Sequence, residues 1–192
     1  MKRLMLALFL LIPSPLKAKV RPYFGIGSGA TDQSYLALGE VGFSNRYLSG
    51  AFQYLYTKTK IKGKKVDMTP LMLTMMAKSK VAGNLKLTMG GGINYMLTEV
   101  NLDPQVIADD MRVGYKPSAS INNDIGFHVQ GGLEYFIGKR FSLSANICQI
   151  FFNGIFRDIR KNVATLDTFY IKDEFPIKLD TLFGFAQVRV YF

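Results

Sequence analysis

Tryptophan is absent from this sequence, and cysteine and histidine occur once each, at Cys148 and His128. One cysteine cannot close an internal disulfide, and one cysteine with one histidine cannot build a multi-ligand zinc site. Packing and hydrogen bonding must therefore hold the fold. Acidic residues are scarce, 14 against 24 basic ones, and charged residues make up only 20% of a chain that is 48% hydrophobic. That balance excludes a disordered tail or an acidic solvating segment, and 192 residues exclude a large multidomain enzyme. Beyond the N-terminal leader no apolar run approaches the roughly 20 residues of a membrane-spanning helix. What is abundant is Gly, Phe and Tyr, at 18, 15 and 10. They point to aromatic strands and tight turns, an all-β chain.

The leader is set aside first. Lys2 and Arg3 precede an apolar run from Leu4 to Ile12, followed by Pro13, Pro15 and the small Ala18. This is the pattern of a secretory signal, with cleavage near residue 18 and a mature barrel domain over 19–192. The competing reading, an uncleaved anchor, needs about twice as many apolar residues as the run supplies. No cysteine lies near the boundary to accept a lipid. Without Lys2, Arg3 and Lys17 the remainder carries 21 basic and 14 acidic side chains and is still basic.

The rest of the chain alternates with the period of a β-strand. In 124–138, Phe127, Val129, Gly131, Leu133 and Tyr135 share one face while His128, Gln130, Gly132 and Glu134 share the other. In the stretch from Leu85, Leu87, Met89, Ile93 and Tyr95 oppose Lys86, Thr88, Gly90, Gly92 and Asn94. Extending this reading gives strands near 21–30, 35–44, 49–58, 69–81, 85–98, 124–138, 141–152 and 179–192. The fold class is an eight-stranded antiparallel transmembrane β-barrel of outer-membrane type. Short connections at 45–48, 82–84 and 139–140 alternate with long ones at 59–68, 99–123 and 153–178; 31–34 is the exception. Short turns then face the periplasm and long loops the exterior.

A soluble lipocalin-type barrel is the alternative, with inverted polarity, an apolar interior and a wet exterior. Against it stand the Gly, Ser, Thr, Asn, Glu and Lys of the non-apolar faces, which suit a polar lumen, and aromatic residues gathered near strand ends. Tyr23, Phe43, Tyr47, Phe52, Phe136, Phe141 and Phe192 fall near one rim, and Tyr56, Tyr95, Phe151 and Phe156 near the other. They resemble two aromatic girdles.

The final stretch LFGFAQVRVYF alternates and ends on Phe192. It resembles the terminal strand of bacterial outer-membrane proteins, whose last aromatic residue is read by the barrel-assembly machinery. With the leader, GGGINY and GFHVQGGLEYFIGKRFSLSANI, essentially the whole mature chain resembles the small outer-membrane β-barrel superfamily that includes the OmpA membrane domain, OmpX and OmpW. The resemblance implies an outer-membrane location and roles that differ among members: passage of small hydrophobic molecules, surface adhesion, or envelope integrity.

Inward-facing Glu40, Lys78, Lys86, Glu134 and Arg189 are each expected near the turn end of their strands. In a barrel only just wide enough for side chains they form a luminal charge network, a plug or a gate. His128 and Gln130 are expected as luminal polar groups above Glu134. A lipid A deacylase on such a barrel, resembling PagL, carries His-x-Ser facing lipid; here the sequence is His128-Val129-Gln130, so no catalytic residue and no enzyme are expected, Ser118 and Ser120 being the nearest substitutes. Lys58, Lys60, Lys62, Lys64 and Lys65 are lipopolysaccharide-contact candidates at an upper hairpin. The segment 102–122 carries Asp103, Asp109 and Asp110 without the spacing of a calcium loop, and its Val106, Ile107 and Met111 fit a short helix over the barrel mouth. No cofactor, metal or nucleic-acid partner is expected. The expected partners are outer-membrane lipid, lipopolysaccharide, the assembly machinery and a small hydrophobic ligand; the oligomeric state stays open.

Overall fold

A computed structural model describes residues 19–31, 34–61, 64–122, 125–164 and 169–192. The leader 1–18 lies outside these residues, as does Lys62. Nine strands follow in order: β1 (Arg21–Ala30), β2 (Tyr35–Ser44), β3 (Leu48–Ile61), β4 (Lys64–Ala82), β5 (Leu85–Asn101), β6 (Tyr115–Ile121), β7 (Ile125–Ile137), β8 (Phe141–Asn162) and β9 (Phe169–Tyr191). Among the described residues a helix, α1 (Pro104–Arg112), lies between β5 and β6.

Every ladder is antiparallel, and pairing of β9 with both β8 and β1 closes the sheet into a ring. The ring has eight staves because β6 and β7 are two pieces of one. β7 pairs with Phe141–Phe151 of β8, and β6 pairs with Phe156–Asn162 of the same strand. Closure leaves no sheet edge along most of the wall, which is what a backbone in hydrocarbon requires. An even ring brings both ends of the chain to the turn end, where the Phe192 N–H donates to the Pro22 carbonyl at 3.0 Å.

The turns form for local reasons. The Asn45 side chain accepts from the N–H groups of Tyr47 and Leu48, both at 2.8 Å, and closes the β2–β3 turn. Gly83 and Gly138, with φ of 48° and 68°, supply the left-handed backbone of the other two. The wall between is apolar outside: Ile26, Val41, Leu73, Met89, Phe127 and Leu182 are each more than half exposed. So continuous an apolar exterior suits lipid tails rather than water.

The structure revises several sequence expectations. The long connections at 59–68 and 153–178 are mostly strand, since β3 runs to Ile61, β4 starts at Lys64, and β8 and β9 have 22 and 23 residues. A tilted crossing uses only about 9–11, so β8 and β9 continue well beyond the lipid. Their upper halves mix charges on both faces, which hides the alternation. Tyr23, Phe136 and Phe156 leave the expected girdles and turn inward; Tyr23 and Phe156 are 3% and 1% exposed. Phe43, Phe52, Phe141 and Phe192 remain on the outer rim. Between a polar lower part and the buried Asp158–Arg160 pair at the upper mouth, the lumen is largely apolar. The inward faces of β2 to β4 carry Leu36, Leu38, Leu55, Met68 and Met72, which join Met96, Ile150, Phe152, Phe156, Phe183 and Phe185 in an apolar upper core. Around residues 71–76 both faces of β4 are apolar, so the period there is blurred.

Candidate functional site

Near the turn end four buried charges meet. Glu134 from β7 is fully buried and accepts from four donors: Lys78 Nζ at 2.7 Å on Oε2, and Ser142 Oγ at 2.8 Å, Tyr191 OH at 2.5 Å and Arg189 Nη1 at 3.2 Å on Oε1. Arg189 from β9 bridges to the second carboxylate, with Nε 3.1 Å from Glu40 Oε1 and Nη2 3.3 Å from Oε2. A planar fork reaching two carboxylates is a task for arginine, which a lysine cannot copy. Lys78 also donates to Ser44 Oγ at 2.8 Å. Two acids balance two bases, and every charge has hydrogen-bonded partners, the condition for burying charge at tolerable cost.

Polar contacts extend the floor upward. Gln53 Nε2 donates to Glu40 at 2.8 Å, and Thr74 Oγ1 donates to Gln53 Oε1 at 3.0 Å. His128 Nε2 lies 2.9 Å from the same Thr74 hydroxyl. With that hydroxyl's single proton spent on Gln53, His128 Nε2 is the donor to Thr74. His128 thus reaches Glu40 through Thr74 and Gln53. The side-chain amides of Gln130 and Gln187, 4% and 3% exposed, have no protein partner among the described residues.

Lys86, expected in the same network, stands apart at the mouth. It is half-buried, with its ammonium 4.7 Å from the Phe136 ring centroid and donating to the Arg46 carbonyl at 3.4 Å. Two residues of the floor lie outside the expected charge network. Gly25, inward on β1, leaves the room Arg189 occupies: a Cβ there would lie 3.2 Å from Arg189 Cγ and 3.7 Å from Glu40 Cβ. Tyr23, two residues earlier on the same face, sets its ring 5.3 Å from the Arg189 guanidinium.

Above the floor the core is apolar and rich in methionine, a side chain that repacks readily. It encloses a cavity of about 20 Å³ lined by Leu36, Leu55, Met68, Met96, Ile150 and Phe183 among others. On one side the ladder of the wall is interrupted among the described residues. The β5–β7 ladder ends at Tyr95 with Ile125, and above it no ladder joins β5 to β6 among the described residues. The two strands run side by side, linked by the Thr98 hydroxyl donating to the Ile121 carbonyl at 3.2 Å. Met96 and Val100 of β5 and Ala119 and Ile121 of β6 bring the apolar core to this seam. Pro117, lacking an N–H, suits an unpaired edge.

The helix α1 stands beside the seam. Its aspartates are spent on structure: Asp103 caps the helix by accepting from Gln105 N at 2.8 Å, Asp109 pairs with Arg112 at 3.7 Å, and Asp110 lies 2.5 Å from Arg160 Nε. Arg160 is 1% exposed on the inner face of β8 and also pairs with Asp158, so it ties the helix over the upper mouth. Val106, Ile107 and Met111 remain exposed.

The upper lysines lie on the β3–β4 hairpin, where backbone register sets Lys60 opposite Lys65, Ile61 opposite Lys64, and Lys58 opposite Asp67. Lys58 and Lys65 are exposed, and the Lys58 ammonium is 5.9 Å from the Tyr56 ring centroid. At the other end Phe192 is 70% exposed and stacks on Phe24 at 6.2 Å.

No protein-family model matches the sequence, and no curated protein matches it. Solved structures do match in shape. The outer membrane protein OprG from Pseudomonas aeruginosa aligns over 92% of this chain and 97% of its own, with TM-score 0.64 and 10% identity. A major outer membrane protein from Thermus thermophilus aligns over 91% and 100%, with TM-score 0.60 and 10% identity. Neisserial surface protein A aligns over 90% and 96%, with TM-score 0.57 and 14% identity. The ring closure, apolar wall and charged lumen, with these likenesses, establish that the chain has the fold of the small eight-stranded outer-membrane β-barrels.

Proposed function

We propose that this chain resides in a bacterial outer membrane, turns toward the periplasm, and admits small apolar solutes sideways into the lipid rather than ions through its axis. One observation carries the reading: an apolar upper lumen rests on a closed, charge-paired floor and meets the wall where, among the described residues, no ladder joins β5 to β6. A solute entering past α1 meets methionines that can yield, is stopped by the Glu40–Arg189–Glu134–Lys78 cluster, and has the seam as its remaining exit. On this reading the leader is removed near residue 18, Phe192 addresses the assembly machinery, and Lys58 to Lys65 bind lipopolysaccharide phosphates. The barrel's presence also supports the envelope mechanically.

The test is to close the seam. Cysteines replace Thr98 and Ile121 in a Cys148→Ser background, joined by a short reducible cross-linker, and entry of 1-N-phenylnaphthylamine into intact producing cells is followed. Entry should be several-fold faster with the open barrel, fall to the level of cells lacking the chain on cross-linking, and recover on reduction. Equal entry before and after cross-linking would remove the lateral path.

A second reading has its own observation. β6 and the upper parts of β8 and β9 form a three-stranded projection well beyond the span lipid needs, carrying exposed Tyr170 and Ile171. Such a blade can serve as a binding surface. Replacing exposed Tyr170 and Ile171 by serine separates the two readings: surface binding is lost while solute entry persists.

A further inference from the structure

The mouth at the turn end forms a second cavity, of about 340 Å³. Five basic residues line it, Lys19, Arg21, Arg46, Lys86 and Lys139, and no acid does. They are positioned without being neutralised. Arg21 donates to the Lys139 carbonyl and lies 5.2 Å from the Tyr191 ring centroid. Arg46 lies 5.5 Å from the Tyr47 ring, and its carbonyl accepts from Lys86, whose ammonium sits over Phe136. Ring faces and carbonyls orient Arg21, Arg46 and Lys86, and among the described residues none of the five has a carboxylate within ion-pair distance.

The floor beneath compensates the mouth only in part: Glu134 stands opposite Lys86 across the β5–β7 ladder, but it and Glu40 are already paired with Lys78 and Arg189. The Phe136 and Tyr191 rings, 5.5 Å apart, lie both in the cavity wall and beside Lys78, between the mouth and that cluster. The mouth is therefore a focused positive field with low-dielectric walls, the arrangement that concentrates anions. Guanidinium forks with ammonium groups around one concavity match an oxyanion with several acceptors.

We propose that the turn-end mouth is a binding site for a phosphoryl group, supplied by a phospholipid headgroup of the adjoining leaflet or by a soluble phosphate. Polar Asn45 and Asn84 at its edge add donors suited to phosphate oxygens. The site is independent of the solute path above, since the closed floor lies between them.

The test uses the refolded chain with isotope-labelled backbone and arginine side chains, read by NMR. In one arm inorganic phosphate is titrated into the barrel in neutral detergent at constant ionic strength, with chloride as the matched control. In the other, nanodiscs of phosphatidylcholine are compared with nanodiscs containing phosphatidylglycerol. Saturable shifts confined to Arg21, Arg46, Lys86 and Lys139 are expected in at least one arm. Phosphate alone sufficing identifies a soluble ligand, and a response only to phosphatidylglycerol identifies the headgroup. Replacing Arg46 and Lys86 together by glutamine should weaken binding at least about tenfold, with the urea midpoint checking that the barrel still folds; a neighbouring pair, Arg21→Gln with Lys139→Gln, should do the same. No saturable response in either arm, or binding unaltered in both folded double variants, would overturn the site.

Discussion

Replacing Arg189 by alanine should lower the unfolding free energy of the refolded barrel by about 3–5 kcal/mol, the cost of breaking a buried ion pair from one side. The size follows from what is left behind. Glu40 loses its only ion-pair partner among the described residues, and Glu134 keeps Lys78 but loses a second cation. Glu40 and Glu134 are 3% and 0% exposed, so the carboxylate left behind stays buried. Arg189→Lys should recover only part of the loss, because one ammonium cannot span both acids. Arg189→Met with Glu40→Gln removes one charge of each sign, leaves Lys78 and Glu134 matched, and should recover most of it. Urea unfolding of the three variants in one detergent checks the order. An Arg189→Ala barrel as stable as the original would show that these charges are not coupled.

Gly25→Leu should be nearly as damaging, by the opposite route. A Cβ at Gly25 already approaches Arg189 Cγ and the Val188 carbonyl at 3.2 and 3.3 Å. Three further carbons then compete for the space of the Arg189 stem. Overpacking alone costs about 1–3 kcal/mol, and displacement of Arg189 from Glu40 adds part of the pair's loss. Gly25→Ala should cost far less, since a neighbour need yield only a few tenths of an ångström. A graded fall from alanine to leucine in the same urea experiment is expected, and a flat series would place free volume beside Arg189.

These two residues mark how far the sequence could be read. Arg189 was legible because alternation in the last strand fixes its face and its distance from Phe192 fixes its depth. Glu40, Lys78 and Glu134 follow by the same rule of two, and the structure brings all four within bonding distance. Lys86 obeys the rule too but lies at the mouth, since a flexible stem on a rim residue can turn toward water. Gly25 was not legible: an inward glycine shows its role only when the opposite side chain is known. The upper lumen escaped for another reason. Where both faces of a strand are apolar, as with Leu71, Met72, Leu73, Met75 and Met76, period cannot say which face is inside. The β6 piece and the upper halves of β8 and β9 were hidden because charges stand on both faces there: Asp158 and Arg160 are buried inward while Arg157 and Lys161 point outward, so burial alternates and hydropathy does not.

The account rests on a shut floor and on a seam that carries no ladder among the described residues. Ionic conductance of the refolded chain in a planar bilayer, at neutral pH with an empty-detergent control, tests this most directly. Insertion without discrete openings is the expected result, since the four paired charges fill the lower lumen. Stable, discrete openings of the unaltered chain would contradict it, and would make Glu40, Glu134 and Arg189 the gate of an aqueous channel.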